Sequence, residues 1–329
     1  MLKLAVRTPA LLAASTLACM VAVVGCSEGD ANRPPNDAGS SLTFAFVPNS
    51  PSNFWKIAEA GVRKAEAEFG VEVEVRLPQS GAVDEQQQIL QDLLTRQVDG
   101  IAISPIDPAN MTRLLDEVAA RTLLLTHDSD APESQRIAYI GTNNTAAGRV
   151  AGEEILKVLP DGGDVILFVG RLDAQNARER KQGIEEALAG TNVAIRDVRL
   201  DYGDQARAQE NAEAMIVAYP GIGALVGLWS YNGPAILKAV QAAGMVGETK
   251  IVCFDEDDAT LQGIEEGAIS ATVVQKPFEF GYQSVRLLDE LARGDRSRVP
   301  ADGVIDTGVT VVDQGNVVEF RARLRELLR

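Results

Sequence analysis

The sequence predicts an α/β protein built on a parallel, doubly wound sheet, or on two of them. Three observations carry that prediction. Short apolar runs alternate strictly with longer amphipathic ones from residue 42 to the C-terminus, the rhythm of strand and crossover helix. Several short runs are apolar on both faces, as buried parallel strands are. Glycines recur where the helical patterns run out, the usual place for a left-handed C-terminal residue.

In chain order the pattern opens with strand 42–47, "LTFAFV", and an amphipathic helix 53–69 that ends at Gly70. Strand 71–77, "VEVEVRL", alternates apolar with charged residues, which marks a half-exposed edge. Helix 83–97 leads into strand 99–103; "GIAIS" there is apolar on both faces, so this strand is central. Helix 108–120, strands 122–126 and 137–140 and helix 145–159 follow. The second half repeats the rhythm without a fixed period: strand 164–169, helix 175–189 ending at Gly190, strand 194–200, helix 204–218, strand 223–229 and helix 232–243 ending at Gly244. "DVILFV" and "GALVGLW" in this half again read as central. Strand 250–254, helix 257–267 ending at Gly267, strand 270–275, helix 277–293 and strand 309–312 complete the pattern. The tail spaces Phe320, Leu324, Leu327 and Leu328 as one face of a last helix, its arginines on the solvated side.

Residues 1–25 stand apart. Lys3 and Arg7 precede "PALLAASTLACMVAVVG", with neither acid nor base, which reads as a secretory signal. The stretch ends in Val23-Val24-Gly25-Cys26 and resembles the lipobox of bacterial lipoproteins; that resemblance implies that Cys26 is acylated and anchors the chain to a membrane, inner or outer. An ordinary cleaved signal or a spanning helix are the alternatives. Residues 26–41, polar and rich in Pro and Gly, read as a flexible tether.

The net charge is −16, and it is two units more negative without residues 1–25, so nucleic acid is excluded as a natural partner. Of three cysteines, Cys19 leaves with the signal and Cys26 takes lipid, which leaves Cys253 as a buried thiol with no disulfide partner.

In an open parallel sheet, ligands bind beyond the carboxyl ends of the strands. At those ends the sequence gathers Phe54 and Trp55, His127 and Asp128, Arg178 and Arg180, Tyr202, Trp229 with Ser230 and Asn232, Asp255 and Gln275. Phe54 and Trp55 adjoin on one helix, about 100° apart, so both rings are not expected to enter one core. Aromatic rings, carboxylates, amides and few cations suit a neutral polyhydroxylated ligand, whose C–H face packs on a ring and whose hydroxyls bond the polar groups. Each residue also has a plainer reading. Asp128 and Asp255 can cap helices. Arg178 and Arg180, two apart, cannot share a face, so at most one enters the cleft. Trp229 can be core, and His127 can simply end a strand.

Nothing in the sequence reads as catalytic. No glycine-rich dinucleotide fingerprint follows the first strand, and neither a phosphate loop nor a nucleophile elbow is present. "DEDD" at 255–258 misses the calcium-loop spacing, and one histidine without nearby cysteines argues against zinc. Neither a cofactor nor a metal is expected.

From Leu42 to about Gly294 the chain resembles the type I periplasmic sugar-binding proteins, the ribose-binding-like receptors of ABC importers. The words that carry the resemblance, in the family's order, are "NFWKIAEAGVRKAEAEFG", "LLTRQVDGIAISPIDP", "THDSDAP", "YIGTNNTAAGRVAGEEI", "ARERKQGIEEAL", "LVGLWSYNGPAILKAV", "IVCFDED" and "ATVVQKPFEFGYQSV". It implies two α/β lobes joined by three crossing segments, with lobe one at 42–141 plus 277–306 and lobe two at 142–276 plus 307–329. It also implies a monomer that closes on a monosaccharide or related polyol and hands it to a membrane permease, or alternatively signals to a membrane kinase or chemoreceptor. By the same resemblance Phe54 and Trp55 stack the sugar, Asp128 and Asp255 accept from hydroxyls, Arg178 is the cleft arginine, Gln275 sits by the hinge and Tyr202 lines lobe two, with Trp229, Ser230 or Asn232 as a further contact. Ser129 stands where the ribose receptor has arginine, which argues against ribose itself.

Overall fold

The computed structural model describes residues 41–51, 53–172 and 174–328. The expected signal, Cys26 and the tether as far as residue 40 lie outside the described residues. The elements run β1 (Thr43–Val47), α1 (Asn53–Phe69), β2 (Glu72–Val75), α2 (Val83–Thr95), β3 (Gly100–Ile103), α3 (Pro108–Ala119), β4 (Leu123–His127), β5 (Ala138–Gly141) and α4 (Asn144–Val158). They continue with β6 (Gly163–Val169), α5 (Gln175–Leu188), β7 (Val193–Leu200), α6 (Gln205–Ala218), β8 (Ala224–Gly227), α7 (Asn232–Ala242), β9 (Lys250–Phe254) and α8 (Asp258–Glu265). β10 (Ala271–Val274), α9 (Pro277–Ala292), β11 (Val304–Asp306), β12 (Thr310–Asp313) and α10 (Val317–Leu327) close the chain.

These strands form two six-stranded sheets, ordered β11-β5-β4-β3-β1-β2 and β12-β10-β9-β8-β6-β7. The two orders superpose term by term, so β4 and β9 occupy equivalent places, as do β1 and β6. β2 lies at an edge and β3, β6 and β8 lie inside, as their residue patterns require. Two features went beyond the sequence reading. β11 is only three residues long and carries no periodicity to detect, and β12 pairs with β10 antiparallel at the other edge.

The chain passes between the lobes three times, after β5, after β10 and between β11 and β12. Two of these strands of chain are stitched together: Thr307 donates through N and Oγ1 to the Gly141 carbonyl at 2.8 and 3.0 Å, and the Asn143 amide donates to Asp306 Oδ1 at 3.0 Å.

Each lobe is layered helix–sheet–helix, with an apolar cluster on each face of its sheet. Helix starts are capped by side chains: Asp107 accepts from Asn110 N at 3.1 Å, and Asn143 accepts from Ala146 N at 2.9 Å. Gly70 and Gly244 follow helices at φ 66 and 69, where a side chain would strain the backbone. Cys253 is buried and unbridged, and burial pushes its thiol up to about 12. Among the described residues, no helix is long and apolar enough to cross a membrane.

The helical glycines Gly61 and Gly183, costly by propensity, have a packing reason. A Cβ on Gly61 would lie 2.0 Å from the Phe278 carbonyl oxygen, and one on Gly183 would lie 2.1 Å from that of Thr145. They allow α1 to lie against α9, and α5 against α4, at backbone contact. Gly183→Ala is therefore expected to cost roughly 1–3 kcal/mol of stability by forcing the α4–α5 pair apart. A denaturant titration with an unchanged midpoint would show that the pair yields freely.

Candidate functional site

Asp128 and Asp255 each follow the buried strand at the equivalent place in the two sheets. Both sit in the left-handed region, at φ 58 and 68. For a residue with a side chain such a conformation costs on the order of 1 kcal/mol, so surrounding structure must enforce it. Neither is a helix cap: the cap of α8 is Asp257, which accepts from Ala259 N at 2.9 Å, and no helix begins directly after Asp128.

On lobe one, Asp128 Oδ2 accepts from Ser104 Oγ at 2.9 Å and from Asn49 Nδ2 at 3.2 Å. Asn49 in turn accepts through Oδ1 from Trp55 Nε1 at 3.2 Å, so a chain of bonds runs from Trp55 through Asn49 to Asp128. Burial raises the Asp128 carboxyl to about 6, opposed by the Ser104 bond and the positive charge of Arg180.

On lobe two, Asp255 is buried and accepts from Gln275 Nε2 at 3.0 Å through Oδ1, while Oδ2 lies 4.0 Å from Arg180 Nη1. Desolvation raises its carboxyl, and Arg180 works against that rise. Arg180 is 1% exposed and is fixed from three sides. Its Nε donates to Asn144 Oδ1 at 2.9 Å, Nη1 donates to the Leu228 carbonyl at 2.7 Å, and its guanidinium lies 4.4 Å over the Phe254 ring.

Four of the expected site groups are placed differently from what the plain reading of the sequence suggests. Arg178 is exposed, with Nη1 3.4 Å from the Leu172 carbonyl, and the arginine that α5 turns inward is Arg180. Two residues along a helix face opposite ways, so one of the pair is turned inward and the other outward. Asn232 is wholly buried and its amide is consumed within lobe two: Oδ1 accepts from Trp229 N at 3.0 Å, and Nδ2 donates to Asp201 Oδ2 at 3.0 Å. Tyr202 is 62% exposed at φ 59, with Arg207 5.7 Å from its ring, so it does not form a packed wall. Finally, Phe54 and Trp55 both join one apolar cluster. Trp55 is 5% exposed and lies edge-on to Phe46 and His127, while Phe54 lies 6.1 Å from Phe280 of α9. Helix α1 is sandwiched between the sheet and α9, so two of its faces meet apolar partners.

His127 belongs to the core. It stacks on Phe46 with centroids 4.1 Å apart, and burial lowers its pKa to about 3, which keeps the ring neutral. Trp229 is half-buried, edge-on to Tyr231, and its ring lies against Gly170, where a Cβ would come within 2.0 Å of the indole. Its Nε1 is buried with no hydrogen-bond partner. Sequence reasoning passed over Asn49, Ser104 and Asn144. The first two follow strand ends and were there to be found; Asn144 lies in a lobe crossing, which only the fold brings beside Arg180.

The site thus gathers a carboxylate from each lobe at the mouths of two equivalent sheets, with a fixed guanidinium that lies 4.0 Å from Asp255 and whose charge acts on Asp128 as well. That arrangement defines a two-lobe ligand-binding protein, and no grouping of His, Cys, Asp and Glu among the described residues could hold a metal ion. Residues 44–296 match the model of the periplasmic binding protein domain, and the chain belongs to that family, as a type I member whose relatives bind sugars. It is similar to the ribose import binding protein of Salmonella typhimurium, 25% identical over 79% of this chain and 88% of that one. Among solved structures it resembles an ABC transporter solute-binding protein from Burkholderia graminis in complex with D-arabinose, at 32% identity and a TM-score of 0.79, covering 84% of this chain and 96% of that one. It is also similar to the glucose-galactose binding protein GanP of Geobacillus stearothermophilus, at 28% identity and a TM-score of 0.79, covering 84% and 99% of the two chains. The chain is a binding protein and not an enzyme.

Proposed function

We propose that this protein is an extracytoplasmic receptor that captures a monosaccharide or related polyol between its lobes and delivers it to the permease of an ABC importer, held at the membrane by lipid on Cys26. The observation that carries the reading is the pairing of Asp128 and Asp255 from opposite lobes about the buried Arg180. Two carboxylates and a guanidinium can take hydroxyl groups from both sides, and ligand favours the closed arrangement only through contacts made to both lobes. Trp229 offers a ring face and an unpartnered N–H, and Gln275 orients Asp255. The relatives named for ribose, arabinose, glucose and galactose support this ligand class. The three crossings between lobes act as the hinge. The signal and lipobox words at the N-terminus support the anchor.

A thermal-shift screen of pentoses, hexoses, inositols and sugar alcohols tests the ligand class: at least one is expected to raise the melting temperature and to bind with a calorimetric stoichiometry of one. No shift across the whole panel would sink the reading.

Binding is also expected to depend on pH. An ionised Asp128 accepts from hydroxyls, so the bound state favours the charged form and lowers its pKa. Affinity is then full above pH 6 and falls below it, by up to about ten-fold per pH unit for one proton, until the bound-state pKa is reached. The free protein behaves oppositely at this residue, because a folded pKa above the unfolded value contributes stability below about pH 3.8 that is lost as pH rises through 6. Calorimetric titrations between pH 5 and 8 check the first statement, and a flat profile would contradict it.

A further inference from the structure

Beside the carboxylate pair lies a second feature that the capture of a neutral sugar leaves unused. A cavity of about 200 Å³ lies where the chain crosses between lobes after β5, and Asp128 lines it. Its other walls include Asp130, Tyr139, Thr142, Asn176 and Glu179. The side chains here offer acceptors in excess. Thr142 is 2% exposed and its Oγ1 has no hydrogen-bond partner, and the buried Oδ1 of Asn176 has none either. Both bonds to the Asp128 carboxylate go to Oδ2, which leaves Oδ1 open to an incoming donor. Glu179 is held by one bond, from Gln175 Nε2 to Oε1 at 2.7 Å. Tyr139 spends its hydroxyl proton on the Asp128 and Thr142 carbonyls.

The charges point the same way. Asp130 is matched by Arg136, at 2.5 and 2.6 Å. Among the described residues, Asp128, Glu179 and Asp255 are then left with Arg180 as the one buried guanidinium near them, and it lies 4.0 Å from Asp255. Carboxylates in a partly enclosed site demand compensation, and hydroxyl groups supply hydrogen bonds without charge. A protonated amine supplies three donors and a positive charge at once.

We propose that this cavity is a subsite for a protonated amino substituent, so that the preferred ligand is an amino-substituted sugar or cyclitol whose ammonium group sits between Asp128, Glu179 and Thr142 while its hydroxyls engage Arg180 and Asp255. The proposal rests on the sugar-receptor reading and narrows its ligand class. A metal ion is disfavoured because these residues do not form a metal-binding group.

The test is calorimetric titration of the purified protein with matched pairs: D-glucosamine against D-glucose, and an aminodeoxy-myo-inositol against myo-inositol. In at least one pair the amine is expected to bind ten-fold or more tightly than its neutral partner. Glu179→Gln, which keeps shape and the bond to Gln175, is expected to remove most of that advantage by weakening the amine far more than its neutral partner. Neutral members binding as tightly as their amines would overturn the amine subsite and leave the sugar reading intact. No binding by any member, with a flat response to the wider sugar panel, would overturn both. A melting temperature raised by calcium or sodium chloride alone, and insensitive to amines, would assign the cavity to a metal ion and likewise overturn the proposal.

Discussion

Arg180→Met is expected to abolish sugar binding, with a loss of at least a hundred-fold, and to destabilise the fold. The guanidinium is buried and serves three partners at once: the Asn144 amide oxygen, the Leu228 carbonyl and the Phe254 ring. Methionine fills much of the volume but strands two buried acceptors, at roughly 1–3 kcal/mol each. It also removes the positive charge 4.0 Å from Asp255, and breaking a buried charge pairing typically costs about 3–5 kcal/mol. Part of that cost is relieved by protonation of Asp255, so a total of about 3–5 kcal/mol is expected from denaturant unfolding. Arg180→Lys keeps a charge but not the fork, and should recover stability more than affinity. Arg178→Met, two residues away on the exposed face, should shift stability by no more than about 0.5 kcal/mol and leave binding nearly unchanged. If the two arginines exchanged these phenotypes, the assignment of the cleft cation would be wrong.

Trp55→Ala is expected to cost about 3–5 kcal/mol of stability, on the order of 10 °C in melting temperature. The indole fills the angle between Phe46, His127 and Phe54, and nothing near it can collapse into the space without moving β1 or β4. The same change deprives Asn49 Oδ1 of its bond from the indole, leaving the Ser50 hydroxyl as its donor, and loosens the residue that braces Asp128. Trp55→Phe separates the two effects, because it keeps most of the packing and deletes the N–H. Its stability should fall by about 1–2 kcal/mol while its sugar affinity falls as far as that of the alanine variant. A Trp55→Phe protein with wild-type affinity would show that the Trp55–Asn49–Asp128 chain does not matter for binding. The resemblance implied that this ring stacks the sugar; in the structure it is also a buried member of the lobe-one core.

The architecture was legible because it is written in periodicity. A run such as "GIAIS", apolar on both faces, has no stable place except the middle of a covered sheet, and β3 lies there. "VEVEVRL" can bury only one face, and β2 lies at an edge. β11 escaped because three residues hold too little pattern, and its place is set by a pairing with β5 more than 160 residues earlier. At the site, strand-end position pointed to Asp128, Asp255 and Gln275, and the structure brings Gln275 Nε2 within 3.0 Å of Asp255. Position was not enough to choose between Arg178 and Arg180, because that choice depends on the rotation of α5 about its axis. Gly183 lets α5 pack at backbone contact with the Thr145 carbonyl of α4, and periodicity alone does not reveal such a contact. Asn232 misled for a related reason: a polar residue after a strand looks available until Asp201, thirty-one residues away in sequence, is seen to take its amide.

The central claim is that a sugar is held by both lobes at once, and small-angle X-ray scattering tests it most directly. The radius of gyration of the purified protein should decrease measurably when the tightest sugar of the panel is added to saturation, and it should not change when the same sugar is added to Asp255→Asn protein that no longer binds it. Saturable binding by the wild-type protein with an unchanged radius of gyration would contradict the claim.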